Sequence, residues 1–268
     1  MWRCLAGLLL LLFAQFGQTT PQLVSGQWKQ GALIKAKVSP GTHVEFLGRA
    51  VHVDELGYFV IGLGRDTAAR VSLITRVGDE SHTHAFSVEQ RQYDIQEVDG
   101  VASKYVAPPE SVLERIRREA AEVALARSQY SSVRFFDRGF DWPLKGRITG
   151  VYGSQRVFNG VPKRPHYGLD IAGPVGARVV APAPGIVRLV HDDMYYSGGT
   201  LVIDHGQGVS STFIHLSQIF VVPDQHVAAG EIIAAVGNTG RTTGPHLDWR
   251  VNWFDQRLDP QLLLPAAE

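Results

Sequence analysis

Apolar and polar positions alternate along most of this chain in short runs, and their period is two far more often than 3.6. In the first part the runs 32–38, 43–47, 58–64 and 71–75 are divided by Gly, Pro and Asp, a spacing that predicts a small antiparallel β-sandwich. From Val179 onward strand follows strand again, with turn signals at Pro182 and Pro184, at Ser197-Gly198-Gly199 and at Asp204-His205-Gly206-Gln207-Gly208. One stretch has a different period. Over 109–128, Val112, Ile116, Ala120 and Val123 recur at helical spacing among Arg and Glu, and Ser111-x-x-Glu114 has the form of a capping box. A single helix is expected there, its charges forming a solvated face. The fold class is therefore all-β: a β-sandwich over residues 21–106, a helical linker over 107–134, and an antiparallel β-sheet domain over 135–268.

Two stretches carry polar residues on one face of an apolar strand. In Arg164-Pro165-His166-Tyr167-Gly168-Leu169-Asp170-Ile171, read as a strand, His166, Gly168 and Asp170 point one way and Tyr167, Leu169 and Ile171 the other. In Gly244-Pro245-His246-Leu247-Asp248-Trp249-Arg250-Val251, His246, Asp248 and Arg250 share a face opposite Leu247, Trp249 and Val251. Two histidines and two carboxylates could then converge. Imidazole and carboxylate bind zinc at about 2.0–2.2 Å in a tetrahedral shell, and Gly168 leaves room for an ion. A lone histidine reads as a satisfied surface or core residue, but two such alternating pairs are harder to explain without a ligand.

Composition narrows the function. Among 268 residues, Lys+Arg and Asp+Glu balance at 26 each, so the basic excess of a nucleic-acid binder is missing. The start, Met1-Trp2-Arg3-Cys4 and then the uncharged run 5–13, is too short to span a bilayer and suits a secretory signal peptide over residues 1–20, cleaved between Ala14 and Thr20. Its cysteine, Cys4, precedes the apolar run, so it is not placed as a lipid anchor, and the processed chain would hold no thiol. His82-x-His84 reads as a solvated hairpin edge, His205 as a turn residue and His191 as a loop residue. Neither a Ser-His-Asp elbow nor a Gly-rich phosphate loop occurs.

The two polar stretches resemble the H-x-x-x-D and H-x-H signatures of the lysostaphin/LytM-type zinc metallopeptidases, which cut peptide bonds in peptidoglycan. The likeness covers roughly residues 141–265 and takes in Ala181-Pro182-Ala183-Pro184-Gly185, the strand 200–206, Phe213-Ile214-His215-Leu216-Ser217 and Val236-Gly237-Asn238-Thr239-Gly240. The upstream β-domain also resembles one that precedes some peptidases of this family. The resemblance implies that His166 and Asp170 are zinc ligands and that His215 and His246 are catalytic histidines handling protons and the oxyanion. It puts Asp248 where the family has a histidine as third ligand. A second carboxylate would bring the charge of the zinc centre from about +1 to about zero, weakening its pull on bound water. Aspartate is nonetheless a legitimate zinc ligand, and its oxygen reaches about as far from Cβ as Nδ1 of histidine does.

The function expected is a zinc-dependent endopeptidase acting on cross-link or stem peptides of peptidoglycan, secreted to the periplasm and touching the membrane only through its signal peptide. Two alternatives stand beside it. One is a domain of this type that has lost catalysis and regulates another cell-wall hydrolase; the other is a structural envelope protein that binds glycan. Related enzymes are held latent when an upstream asparagine plugs the open zinc position, and here Asn159 reads as an ordinary turn residue.

Overall fold

The computed structural model describes residues 20–98 and 109–265, so the expected signal segment, apart from Thr20, lies outside the described residues. The first part is built from β1 (Gln22–Ser25), β2 (Leu33–Lys37), β3 (His43–Phe46), β4 (Arg49–Val51), β5 (Tyr58–Gly62), β6 (Arg70–Val77), β7 (Glu80–Ser87) and β8 (Ile95–Val98). They form a sheet of order β1-β2-β5 and another of order β4-β3-β6-β7. Alternation sets the faces: in β2 the even positions Ile34 and Ala36 are buried, and in β6 so are Val71, Leu73 and Thr75. The inner faces of the two sheets, with Ile34, Phe59 and Ile61 on one and Val44, Phe46 and Leu73 on the other, meet in a single cluster. A sandwich results, as the period-two pattern predicts.

The helix α1 (Leu113–Ser128) follows a short 3-10 turn, Glu110–Val112. No side-chain cap forms at its start, so the Ser111/Glu114 capping box is not realised. Its charged residues are also not simply a solvated face. Ala120 is exposed, whereas Glu119 and Arg127 are buried beside Ala126. The side chain of Glu119 accepts from the backbone N–H of Tyr195 at 2.8 Å and from Arg115 Nε at 2.6 Å, and Arg115 also donates to Asp193. Arg127 donates to Thr212 Oγ1. The helix docks through polar side chains, which a hydrophobic-stripe reading cannot detect.

The second half comprises β9 (Ile148–Gly150), β10 (Gln155–Phe158), β11 (Val161–Pro162), β12 (Leu169–Ala172), β13 (Arg178–Val180), β14 (Gly185–Met194), β15 (Gly198–Gly206), β16 (Val209–Ile219), β17 (His226–Val227), β18 (Ile232–Val236), β19 (His246–Trp253) and β20 (Gln256–Leu258). Most of them join one ten-stranded sheet whose main path runs β17-β14-β15-β16-β19-β12-β9. All nine residues of β15 are buried, because one face packs on the core and the other lies under α1. β8 runs parallel to β10, so the last strand before the helix is hydrogen-bonded to the second half.

The two halves also share a core. Phe46 and Trp253 lie 6.2 Å apart within the same hydrophobic cluster, and Gly62 of β5 faces Trp253 so closely that an added Cβ would stand 2.5 Å from that residue's Cβ. Gly62→Ala should therefore overpack this seam and lower the stability of the chain by about 1–3 kcal/mol, read as a fall in the denaturant midpoint. An unchanged midpoint would show that the seam is loose.

Candidate metal centre

Strand pairing assembles the site. β12 and β19 are antiparallel with Asp170 directly opposite Asp248, and Leu169 opposite Trp249. Paired residues project to the same side, so both carboxylates rise from one face while Leu169, Ile171, Leu247 and Trp249 are wholly buried on the other. His166 is not in the strand: it sits in the loop before β12, tied down by its N–H to Ser154 O and by its O to the N–H of Gly153, each at 2.8 Å. The loop still delivers the ring to the carboxylates. His166 Nε2 is 3.0 Å from Asp170 Oδ1 and 3.4 Å from Asp248 Oδ2.

Gly168 has a different use from the one expected. A Cβ there would stand 2.0 Å from Asp248 Oδ1, so the space it leaves is filled by the Asp248 carboxylate. Gly150 serves Asp170 in the same way, with a Cβ position 2.2 Å from Oδ2.

His166, Asp170 and Asp248 offer one ligand atom each, all within 4.8 Å of one another. Two donors sharing a tetrahedral zinc at about 2.0–2.2 Å stand about 3.3–3.6 Å apart, close to the spacing seen. His166 Nε2 and Asp170 Oδ1 are moreover buried and face each other across 3.0 Å, with Asp248 and His246 beside them. With the ring neutral and its hydrogen on Nδ1, Nε2 and the carboxylate oxygens are all acceptors facing one another, a costly burial that a cation between them relieves. The residues present fit a divalent metal. With no ion between them, burial alone would lower the His166 pKa, but the two facing carboxylates outweigh it and raise it to about 10. Asp248, although buried, is held well below the usual carboxylate range by Arg250 and His166. The Arg250 guanidinium chelates it, with Nε at 3.0 and 3.1 Å from the two oxygens and Nη2 at 2.5 Å from Oδ2.

Both other histidines are at the site. The rings of His215 and His246 are 4.9 Å apart, and His246 Nε2 is 3.7 Å from Asp170 Oδ1. Plain alternation would have sent His215 to the core with Ser211 and Phe213, which are fully buried. The backbone at His215 is instead left-handed, with φ of 65°, inside an irregular stretch of β16, and this turns the ring to the carboxylate side. Such a conformation in a non-glycine residue is strained and recurs at functional sites.

Three histidines here bond a backbone carbonyl through Nδ1: His166 to Val151 at 3.1 Å, His215 to Thr239 at 2.8 Å and His246 to Gly244 at 2.9 Å. A carbonyl only accepts, so Nδ1 carries the hydrogen and, in the neutral ring, Nε2 is left as an acceptor. Burial also pushes the His215 pKa down, favouring its neutral form. Thr239 and Thr242 support this arrangement; Thr239 lies in the 236–240 segment noted above, though without an assigned role, and nothing in the sequence pattern singled out Thr242. Thr239 Oγ1 links Gly199 N to Leu216 O, and Thr242 Oγ1 is 3.2 Å from His246 Nδ1.

Other histidines fall elsewhere. His191 lies in β14 and not in a loop, while His205, expected in a turn, is a core residue of β15. His82 and His84 lie on β7, with His84 bonded to Thr75 Oγ1 at 2.8 Å. Asn159 occupies the turn between β10 and β11 with φ of 49°.

A sheet with an imidazole and two carboxylates on one face, flanked by two more histidines, defines a candidate metallohydrolase, and similarity to known proteins narrows this to a family. Residues 164–260 match the sequence profile described as peptidase family M23. A solved Pseudomonas aeruginosa chain assigned to peptidase M23 superposes with a TM-score of 0.69 at 30% identity, covering 88% of this chain and 95% of that one. The chain belongs to peptidase family M23. Among curated relatives, the peptidoglycan DD-endopeptidase ShyA of Vibrio cholerae is 38% identical over 109 residues, which are 40% of this chain and 25% of that protein. The murein hydrolase activator NlpD of Escherichia coli is 28% identical over 124 residues, which are 46% of this chain and 31% of that protein. The matched region thus spans about a quarter to a third of these relatives.

Behind the site, His205 is fully buried between Pro184 O at 2.7 Å and Ser211 Oγ at 2.8 Å, and Trp249 Nε1 donates to the same hydroxyl at 3.1 Å. Burial lowers its pKa to about 4. Below about pH 6.5 the unfolded chain binds a proton that the folded chain refuses, so this contribution to stability is lost as pH falls from about 6.5 to about 4. The parent should lose about 2–3 kcal/mol more than His205→Gln between pH 7 and about pH 4.5, measured by denaturant titration at the two pH values. Parallel losses would mean that His205 is not the titrating group.

Proposed function

We propose that the chain is a zinc-dependent endopeptidase that hydrolyses peptide bonds of bacterial peptidoglycan, with His166, Asp170 and Asp248 as metal ligands and His215 and His246 as catalytic histidines. The observation that carries the reading is the convergence of one ligand atom each from His166, Asp170 and Asp248, all within 4.8 Å of one another. Peptidoglycan as substrate draws on the relatives that act on it, and a periplasmic or secreted location follows from that substrate. Among the described residues no helix is long and apolar enough to cross a membrane.

Zinc held at these ligands supplies polarisation of the scissile carbonyl and activation of a water near neutral pH. The chain's own residues handle the proton. His246 Nε2, left as an acceptor by the Gly244 bond, takes the proton of the attacking water and returns it to the leaving amine. Once protonated, the same ring can donate to the oxygen on which negative charge develops. His215 sets a second neutral acceptor beside it. Arg250 answers the difficulty of a second carboxylate, because the Asp248–Arg250 pair has no net charge, as a neutral imidazole ligand has none.

The resemblance to NlpD supports a second reading, in which the domain regulates another cell-wall hydrolase without cutting peptides itself. Zinc analysis separates the two. The purified parent should hold about one zinc per chain, His166→Ala and Asp170→Ala should hold none, and Asp248→Asn should bind about 10–100-fold more weakly, while circular dichroism keeps its β-signal in all three. A parent that takes up no zinc, or an Asn variant with parental affinity, would remove the proposed shell or Asp248 from it.

His215→Ala and His246→Ala should keep their zinc and lose about 10²–10⁴-fold in turnover of purified peptidoglycan. Digestion at the parental rate by either variant would end its catalytic assignment.

A further inference from the structure

Four guanidinium groups gather beside this centre with too little negative charge to balance them. Arg250 is already ion-paired with Asp248. Arg257, on β20 opposite Asn252, donates to Asn252 Oδ1 at 3.3 Å and stacks over the Tyr167 ring, as exposed Arg164 also does. Arg127 reaches in from α1 and is only 8% exposed, yet both of its side-chain hydrogen bonds, at 2.9 and 3.3 Å, end on the single hydroxyl of Thr212. Thr212 is the register partner of Arg250, so the helix sets its arginine over the strand position just beyond the carboxylates. Among the described residues no carboxylate pairs with Arg127, Arg164 or Arg257.

A charge as buried as that of Arg127 is normally matched, because desolvation is not offset otherwise. Burial and the crowding of Arg250 and its neighbours push the Arg127 pKa down and bring that of Arg257 to about 10. The chain maintains this repulsion beside its own site, an arrangement that an anionic group of a ligand would balance. Asp248 on Arg250 shows that a carboxylate fits a guanidinium here.

We propose that Arg127, Arg164 and Arg257 form a subsite for a free carboxylate of the peptide substrate, which selects peptides with an unamidated acid group close to the scissile bond. The inference rests on the peptidase reading and adds to it a criterion of substrate choice. Arg164 is exposed, Arg257 half-buried and Arg127 buried. Planar carboxylates suit the guanidinium fork, and such charge-assisted bonds are about twice as strong as neutral ones.

The test uses a synthetic branched stem-type peptide in three forms: both carboxylates free, the side-chain carboxylate amidated, or the terminal carboxylate amidated. Dissociation constants are measured by fluorescence anisotropy on the full chain stripped of metal, and kcat/KM on the zinc-loaded chain. One amidated form should bind the parent about 10–100-fold more weakly than the free acid, and which one identifies the carboxylate read. Arg257→Gln and Arg127→Gln should bring that ratio close to one, and Arg257→Lys should keep part of it. Equal affinity of the parent for all three peptides overturns the subsite, as does a parental ratio in Arg257→Gln, whose side chain is not fully buried and whose folding circular dichroism can verify. Peptides that bind with the predicted preference but are not cut would sink the peptidase reading and leave the subsite standing. Peptides cut without preference would do the reverse.

Discussion

The register between β12 and β19 is the constraint on which the rest of the site depends. With Asp170 opposite Asp248, the same alternation that raises two carboxylates on one face sends Leu169, Ile171, Leu247 and Trp249 into the core on the other. A slip of one residue would turn one strand over against the other, burying its carboxylate and exposing its apolar set, so the apolar face fixes the polar one. The carboxylates are therefore placed by hydrophobic burial several ångströms behind them. Gly150 and Gly168 complete the arrangement by leaving the space in which the two acids lie.

Much of this was legible in the sequence because it is periodic. The polar pairs within 166–170 and 246–248 marked the carboxylates and two of the histidines, and period-two runs predicted both β-domains. What escaped the pattern is what breaks the period or spans long separations. His166 proved to be a loop residue anchored by backbone bonds to 153 and 154, although its spacing from Asp170 also fits a strand. His215 shares its alternate positions with core residues and reaches the site only through a left-handed backbone. His205 lies beside turn residues in the sequence and is nevertheless enclosed. Arg127 lies 121 positions before Asp248, in a helix whose charges read as solvated, and no local rule connects the two.

The helix brings the polar side of the molecule into one frame. Its contacts to Asp193, Tyr195 and Thr212 run from the end of β14 to the middle of β16, along the sheet face that carries the site. The N-terminal sandwich is held from another direction, through Phe46 and Gly62 against Trp253 and through β8 against β10. A cavity of about 700 Å³ between the sandwich and the second half, lined in part by Arg65, Tyr167 and Arg257, opens next to the arginine cluster. The sandwich thus contributes to the surroundings of the site as well as to the core.

The three Nδ1–carbonyl bonds have a consequence for how such a site can change over generations. Where a histidine is oriented by an aspartate, one nucleotide change can remove the orienting group. Here the acceptors on Val151, Thr239 and Gly244 belong to the main chain, and no exchange of side chain deletes a carbonyl. The ring tautomers are inherited with the path of the backbone. The side chains around the histidines can accordingly vary while the direction in which each Nε2 faces is preserved.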